Sequence, residues 1–244
     1  MAIIQSNAIG AGSKSVGEIT YRQVRGRTIA CRRITTNTSK TPKQLRHRAA
    51  FKEVGQLAKY LLPALKVGFE ETKYGTRRNN FYQSNREYMN YLKGREGFED
   101  LSPLTNLCHA LKDTDFEGRV MSAKGIGSVS SKWEWDEDGV PRGELSLSRR
   151  FNAGDEIVVA IFWMYTVNGK EEERRKLFRT TLGGRDLKGQ ADLTKFLVDK
   201  ELIPELDIFT KIETEATDLQ VAITAIVLDG ENRADAYLSV MPER

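Results

Sequence analysis

The spacing of apolar residues changes once along this chain, and that change sets what it can fold into. From Leu45 onward, Ala49, Val54, Leu57, Ala58, Leu61, Leu62 and Leu65 recur at helical intervals and form one continuous stripe. From about residue 116 the period falls to two, as in Ser128 to Trp135 and Gly143 to Arg149. That is the alternation of strands. A chain that places its helices first and its strands afterwards is an α+β protein. Its 244 residues are enough for one large domain or two small ones with real cores.

Residues 41–115 read as a helical region. Thr41 can cap, Pro42 suits the first helical position and Gln44 can close a capping box. Pro63 should kink or end this helix, with Gly68 just beyond. Asn79 and Asn80 are expected to cap a second helix carrying Phe81, Tyr88, Met89 and Leu92, stopped by Gly94 and Gly97. Ser102-Pro103 opens a third, with Leu104, Leu107, Cys108 and Leu111.

Residues 116–244 read as β. Expected strands are Arg119 to Lys124, Ser128 to Trp135 and Gly143 to Arg149, with Asp138-Gly139 as a turn. Glu156 to Val167 and Glu172 to Thr181 follow as a hairpin around Asn168-Gly169. Leu206 to Glu213, Leu219 to Leu228 and, after Asp229-Gly230, Ala234 to Met241 complete the set. Leu193 to Asp199 reads as a short helix in a crossover. Seven or eight strands with frequent turns predict an antiparallel β-sandwich of the immunoglobulin-like kind, without the Cys–Trp–Cys pattern of true immunoglobulin domains.

Residues 1–40 read as an extended arm. A Gly/Ser leader precedes a hairpin in which Ile19 and Tyr21 alternate with polar residues, Arg25-Gly26 turns, and Arg27 to Arg33 returns. A two-stranded hairpin is marginal alone, so it must pack on a body, its own or a neighbour's.

Charge is uneven along the chain. Residues 1–50 hold ten Lys or Arg against the single acid Glu18, a balance of +9, while the remainder carries 28 basic and 33 acidic residues, a balance of −5. Tyr21, Arg22, Arg25, Arg27, Arg32, Arg33, Lys43, Arg46 and Arg48 are therefore the residues expected to contact another subunit or a polyanion. A solvated arm, or one lying on acidic surface, is the plainer reading of the same charges. Tyr21 is the only aromatic among them, so base stacking has little sequence support.

Chemistry is hard to find. His109 adjoins Cys108, but consecutive helical side chains diverge by ~100°, which argues against a thiolate–imidazole pair and for Cys108 as a small hydrophobe. His47 sits between Arg46 and Arg48. The chain has no CxxC or HExxH motif, so no metal site is expected. Glu134, Asp136, Glu137 and Asp138 read as a polar hairpin turn rather than a calcium loop. Lys124-Gly125-Ile126-Gly127-Ser128 resembles a phosphate loop but is followed by strand pattern, not a helix. Trp133 and Trp135 share a strand face and could stack on a sugar, although such pairs more often pack a sheet. No catalytic residue and no cofactor are expected. A run of 18 apolar residues is lacking, the N-terminus is unlike a signal peptide and two cysteines cannot build a disulfide framework, so a soluble protein made in a reducing cytoplasm is the expectation.

The pattern Gly17-x3-Tyr21-x3-Arg25-Gly26-Arg27-Thr28-Ile29-x2-Arg32, followed by Thr41-Pro42-x-Gln44-x3-Arg48-x2-Phe51, resembles an uncharacterised family of gut anaerobic bacteria and their bacteriophages. The resemblance covers about residues 1–66, and Val24 stands where members often have Trp. It implies no catalytic residues. Its phage context implies a virion structural protein, non-enzymatic, in a ring or connector between portal and tail. Such a subunit would be synthesised in the host cytoplasm and would assemble by arm exchange with its neighbours. A nucleic-acid-binding protein using the same basic segment is the alternative.

Overall fold

The computed structural model describes residues 2–4, 14–34, 40–71, 75–113, 127–188, 190, 192–211 and 217–242. The protein has both helices and sheets, as an α+β chain should, and divides into two compact units, Met1–Leu45 and Arg46–Arg244.

The first unit holds β1 (Ala2–Ile4), β2 (Lys14–Val16), β3 (Ile19–Val24) and β4 (Arg27–Arg32), paired antiparallel in the order β1-β4-β3-β2. Arg25 (φ 51°) and Gly26 (φ 76°) are both left-handed, which makes the expected turn type I′.

Five α-helices follow among the described residues: α1 (Pro42–Tyr60), α2 (Leu62–Gly68), α3 (Arg77–Ser84), α4 (Arg86–Gly94) and α5 (Pro103–Lys112). Thr41 Oγ1 accepts from Gln44 N at 3.4 Å and Ser102 Oγ from Thr105 N at 3.1 Å, so both expected caps form. Near Pro63 the helix is interrupted, α1 ending at Tyr60 and α2 starting at Leu62, while Leu61 N and Leu65 N still reach the carbonyls of Leu57 and Leu61 at 2.8 and 3.1 Å. The next helix differs from expectation. Thr76, extended and three residues earlier than Asn79, is the cap, its Oγ1 accepting from Asn79 N at 3.3 Å, and Asn85 breaks the segment in two.

The strands of the second unit are β5 (Ser128–Trp135), β6 (Pro141–Leu147), β7 (Glu156–Val167), β8 (Lys170–Thr181), β9 (Lys195–Val198), β10 (Thr217–Asp229), β11 (Asn232–Arg233), β12 (Asp235–Ala236) and β13 (Leu238–Val240). They form two separate, open sheets: β11-β10-β7-β8 with β13 also on β10, and β12-β5-β6-β9. The β12–β5 pair is parallel; the other pairs are antiparallel.

Two expectations are corrected. Leu193 to Asp199 is not a helix, because Phe196 and Val198 are buried while Lys195 and Leu197 are exposed, and this period-two stretch pairs with β6 as β9. The stretch expected as a strand from Leu206 instead lies in a 3-10 helix, Pro204–Lys211, with Leu206 and Phe209 buried. Arg119 to Lys124 lies outside the described residues.

In β7 every residue from Ile157 to Met164 is buried, so both faces of this central strand are covered. Phe162 and Met164 face the helices, where Tyr60 meets the Phe162 ring and Ser102 Oγ donates to Met164 Sδ. Trp163 points the other way, onto Phe209, which also carries Trp135 of β5. Two covered faces explain an apolar run in place of alternation.

Candidate functional site

Register decides where the basic hairpin presents its charge. Directly opposed residues share a face, and β3 sets Arg22 against Ile29 and Val24 against Arg27. Arg22 and Arg27 therefore lie on one face with Thr20, Val24, Ile29 and Cys31. Arg32, opposite Ile19, lies on the reverse with half-buried Tyr21, which is opposite Ala30. Arg22, Arg25, Arg27, Arg32 and Arg33 are all exposed. Arg25 stands at the first left-handed position of its turn, where a non-glycine residue costs about 1–2 kcal/mol. Asn168 fills the same position in the Asn168-Gly169 turn (φ 51° and 72°), a cheaper solution to the same geometry.

The three basic residues of α1 divide. Lys43 and Arg48 are exposed, whereas Arg46 is half-buried and donates to the Arg95 carbonyl at 3.1 Å, which fixes α1 to the segment after α4.

The fold also assembles an aromatic pair that spacing did not reveal. Phe51 of α1 and Tyr82 of α3 stack at 4.8 Å between centroids with planes 9° apart, and the Arg78 guanidinium lies 5.7 Å from the Tyr82 centroid. Phe51 remains 51% exposed. Arg78 also donates to Tyr82 Oη at 3.3 Å. Gly55 permits this arrangement, since a Cβ there would stand 2.7 Å from Tyr82 Oη and 2.8 Å from Arg78 Nη2. A glycine inside a regular helical stripe was the one signal available in the sequence.

A groove of about 400 Å³ opens where β10 is irregular between Thr217 and Gln220. Asp218 there has a φ of 57°. Lys112, Cys108, Trp135, Gln220 and Met241 are among its walls, and the buried Gln220 Oε1 meets no donor among the described residues.

The remaining sequence candidates acquire structural roles. Burial pushes the Cys108 thiol up to about 12, so it is neutral, and burial also lowers His109, whose Nδ1 lies 2.8 Å from Arg95 Nη2. Asp136 Oδ1 accepts from Asp138 N and Val140 N at 2.9 and 2.7 Å and closes the β5–β6 loop, and Lys200 pairs with Asp136 and Asp138. Among the described residues no group of His, Cys, Asp and Glu is arranged to hold a metal ion. Trp133 is buried across Gly143, so it cannot offer a ring to a sugar, and Trp135 donates to the Pro242 carbonyl at 2.8 Å. Lys124 to Ile126 lie outside the described residues.

The chain matches no protein-family model and no curated protein. Among solved structures it is similar to a protein from Archaeoglobus fulgidus, at 16% identity over 48% of this chain and 94% of that one, with a TM-score of 0.19. A likeness at that score carries no argument about fold or function.

Proposed function

We propose that this chain is a structural subunit of a bacteriophage virion, a ring or connector protein of the tail or collar, joined to neighbouring copies through its N-terminal segment. The observation that carries this reading is the exposure of the first sheet. Among its residues of described exposure only Thr28 is buried, while Ile19, Val24 and, just beyond β4, Ile34 are 43%, 39% and 80% exposed. Three-residue strands, β1 and β2, form its two edges. Such a sheet gains stability by strand addition or by burial against another chain. The +9 balance of residues 1–50 against −5 elsewhere favours head-to-tail contact between copies. Portal and tail proteins are the further partners of this reading, and the immunoglobulin-like sandwich of residues 116–244 is part of it. Support for the sandwich comes from β5 and β7 sharing Phe209, and from Ser239 Oγ of β13 donating to the Ser131 carbonyl of β5 at 3.3 Å.

The test is deletion of residues 1–40, with light scattering on the purified protein. A folded body that no longer forms the oligomer of the full chain is the expected result; unchanged assembly overturns the reading.

A second reading, nucleic-acid binding by the basic segment, is favoured by the strained Arg25 at the hairpin tip. Affinity should then fall with salt at a slope near −0.9 per neutralised duplex phosphate. A salt-insensitive affinity excludes it.

A further inference from the structure

We propose that the face of α1 and α3 built around Phe51 and Tyr82 binds single-stranded nucleic acid. This site uses none of the hairpin's residues and stands whether or not the chain assembles into rings.

Three observations converge. The Phe51 ring is parallel to Tyr82 on one side and half exposed overall, so a planar base can extend the stack. The surroundings are rich in cations and poor in acids. The only acid in α1 is Glu53, which is buried and bonded by Asn106, and α3 contains none. Arg48 is exposed and lies one helical turn before Phe51, on the same side of α1. Arg77 is occupied by Glu71 at 2.8 Å, whereas Arg78 lies over Tyr82 and meets no carboxylate among the described residues.

This combination selects its ligand. Cations alone would suit any polyanion, but an exposed aromatic platform rewards only bases that are free to leave their own stack. Duplex bases are not. An acidic protein would neutralise the cations and leave the ring pair without a matching plane.

The experiment uses the full-length chain carrying Arg22→Gln, Arg25→Gln, Arg27→Gln, Arg32→Gln and Arg33→Gln, which removes the exposed arginines of the hairpin, and is repeated in the wild-type chain. Fluorescence anisotropy would follow labelled oligo-dT, oligo-U and a duplex, each of about 16 nucleotides or base pairs. Both single strands should bind more tightly than the duplex, and the stronger of the two identifies DNA or RNA as the source. Phe51→Leu should weaken binding roughly ten-fold, and Gly55→Ala, which displaces Arg78 and Tyr82 Oη, should weaken it comparably. Arg48→Gln should reduce the log–log salt slope by about 0.7. Absence of binding at about 50 mM salt, equal affinity for duplex, or indifference to Phe51→Leu would overturn the proposal. So would a change in self-association on Phe51→Leu with nucleic-acid affinity intact, which would make this face a protein contact.

Discussion

Tyr60 and Arg175 exchange hydrogen bonds with each other's segments. Tyr60 Oη donates to the Arg174 carbonyl at 2.5 Å, and Arg175 Nη1 donates to the Tyr60 carbonyl at 2.7 Å. The same guanidinium reaches the Lys59 carbonyl at 3.0 Å, the acceptor that Pro63 cannot serve because it has no N–H. Burial, foremost, and nearby Glu173 raise the Tyr60 phenol far above its usual range, so it stays a donor. The helix break and the clasp thus meet in one place, tying the end of α1 to β8.

Arg175→Leu and Tyr60→Phe should each cost about 1 kcal/mol, the ordinary net value of a hydrogen bond. The double variant should lose less than the sum, since both changes open the same junction. Urea denaturation of the four proteins measures the coupling, and strict additivity would contradict a shared device.

Glu53 gives stability a pH dependence. Desolvation is the largest influence and raises its carboxyl above the ordinary 4.5, while the bond from Asn106 Nδ2 at 2.9 Å opposes the rise. The folded state therefore holds this proton more tightly than the unfolded chain. Its contribution is fully present below the unfolded value and is lost as pH rises through the folded one. Glu53→Gln, which keeps an acceptor for Asn106, should match the wild type at acid pH and exceed it at pH ~8. Parallel denaturant titrations at the two pH values would show this, and identical pH profiles would refute it.

Arg149→Ala should be among the most damaging surface substitutions, at about 2–3 kcal/mol. Its guanidinium grips Asp155 bidentately at 2.8 and 2.9 Å, and Asp155 is only 2% exposed. Removing the partner leaves a buried carboxylate held only by neutral donors such as Asn152 N. Arg149→Lys should recover little, because an ammonium cannot match both oxygens. A thermal melt that leaves Arg149→Ala at the wild-type midpoint would rule this out.

Gly143→Ala should destabilise by about 1–3 kcal/mol. The new methyl would stand 2.6 Å from the Trp133 ring, which is buried and has nowhere to move. Gly55→Ala meets only the ends of flexible side chains. It should cost less than Gly143→Ala, since the gain in helix propensity offsets the displaced Tyr82 and Arg78 contacts. Circular dichroism melts separate the two cases.

Legibility in the sequence followed the range of the interaction. Thr41, Ser102, Arg25-Gly26 and Asn168-Gly169 act through bonds a few residues long, and each could be read directly. Lys195–Val198 could not, because four residues suit either a helix or a strand until β6 supplies the pairing. Asn79 was a plausible cap until Thr76 proved to hold the extended backbone that capping requires. The Phe51–Tyr82 stack joins residues on two helices, and the Arg175 clasp joins a strand to a proline-induced gap. Neither leaves a periodic trace. Of the basic candidates, sequence found the charge but not its division between faces, which depends on a register set by a two-residue turn.

If copies join through the first sheet, as proposed, that division would make it bivalent. A neighbour covering the Arg22 and Arg27 side leaves Arg32 and Tyr21 on the reverse, so one occupied face does not exhaust the sheet. A row of copies joined in this way would always end in a sheet with one side still vacant. Its growth would stop only where curvature brings that last vacant side around to the first copy.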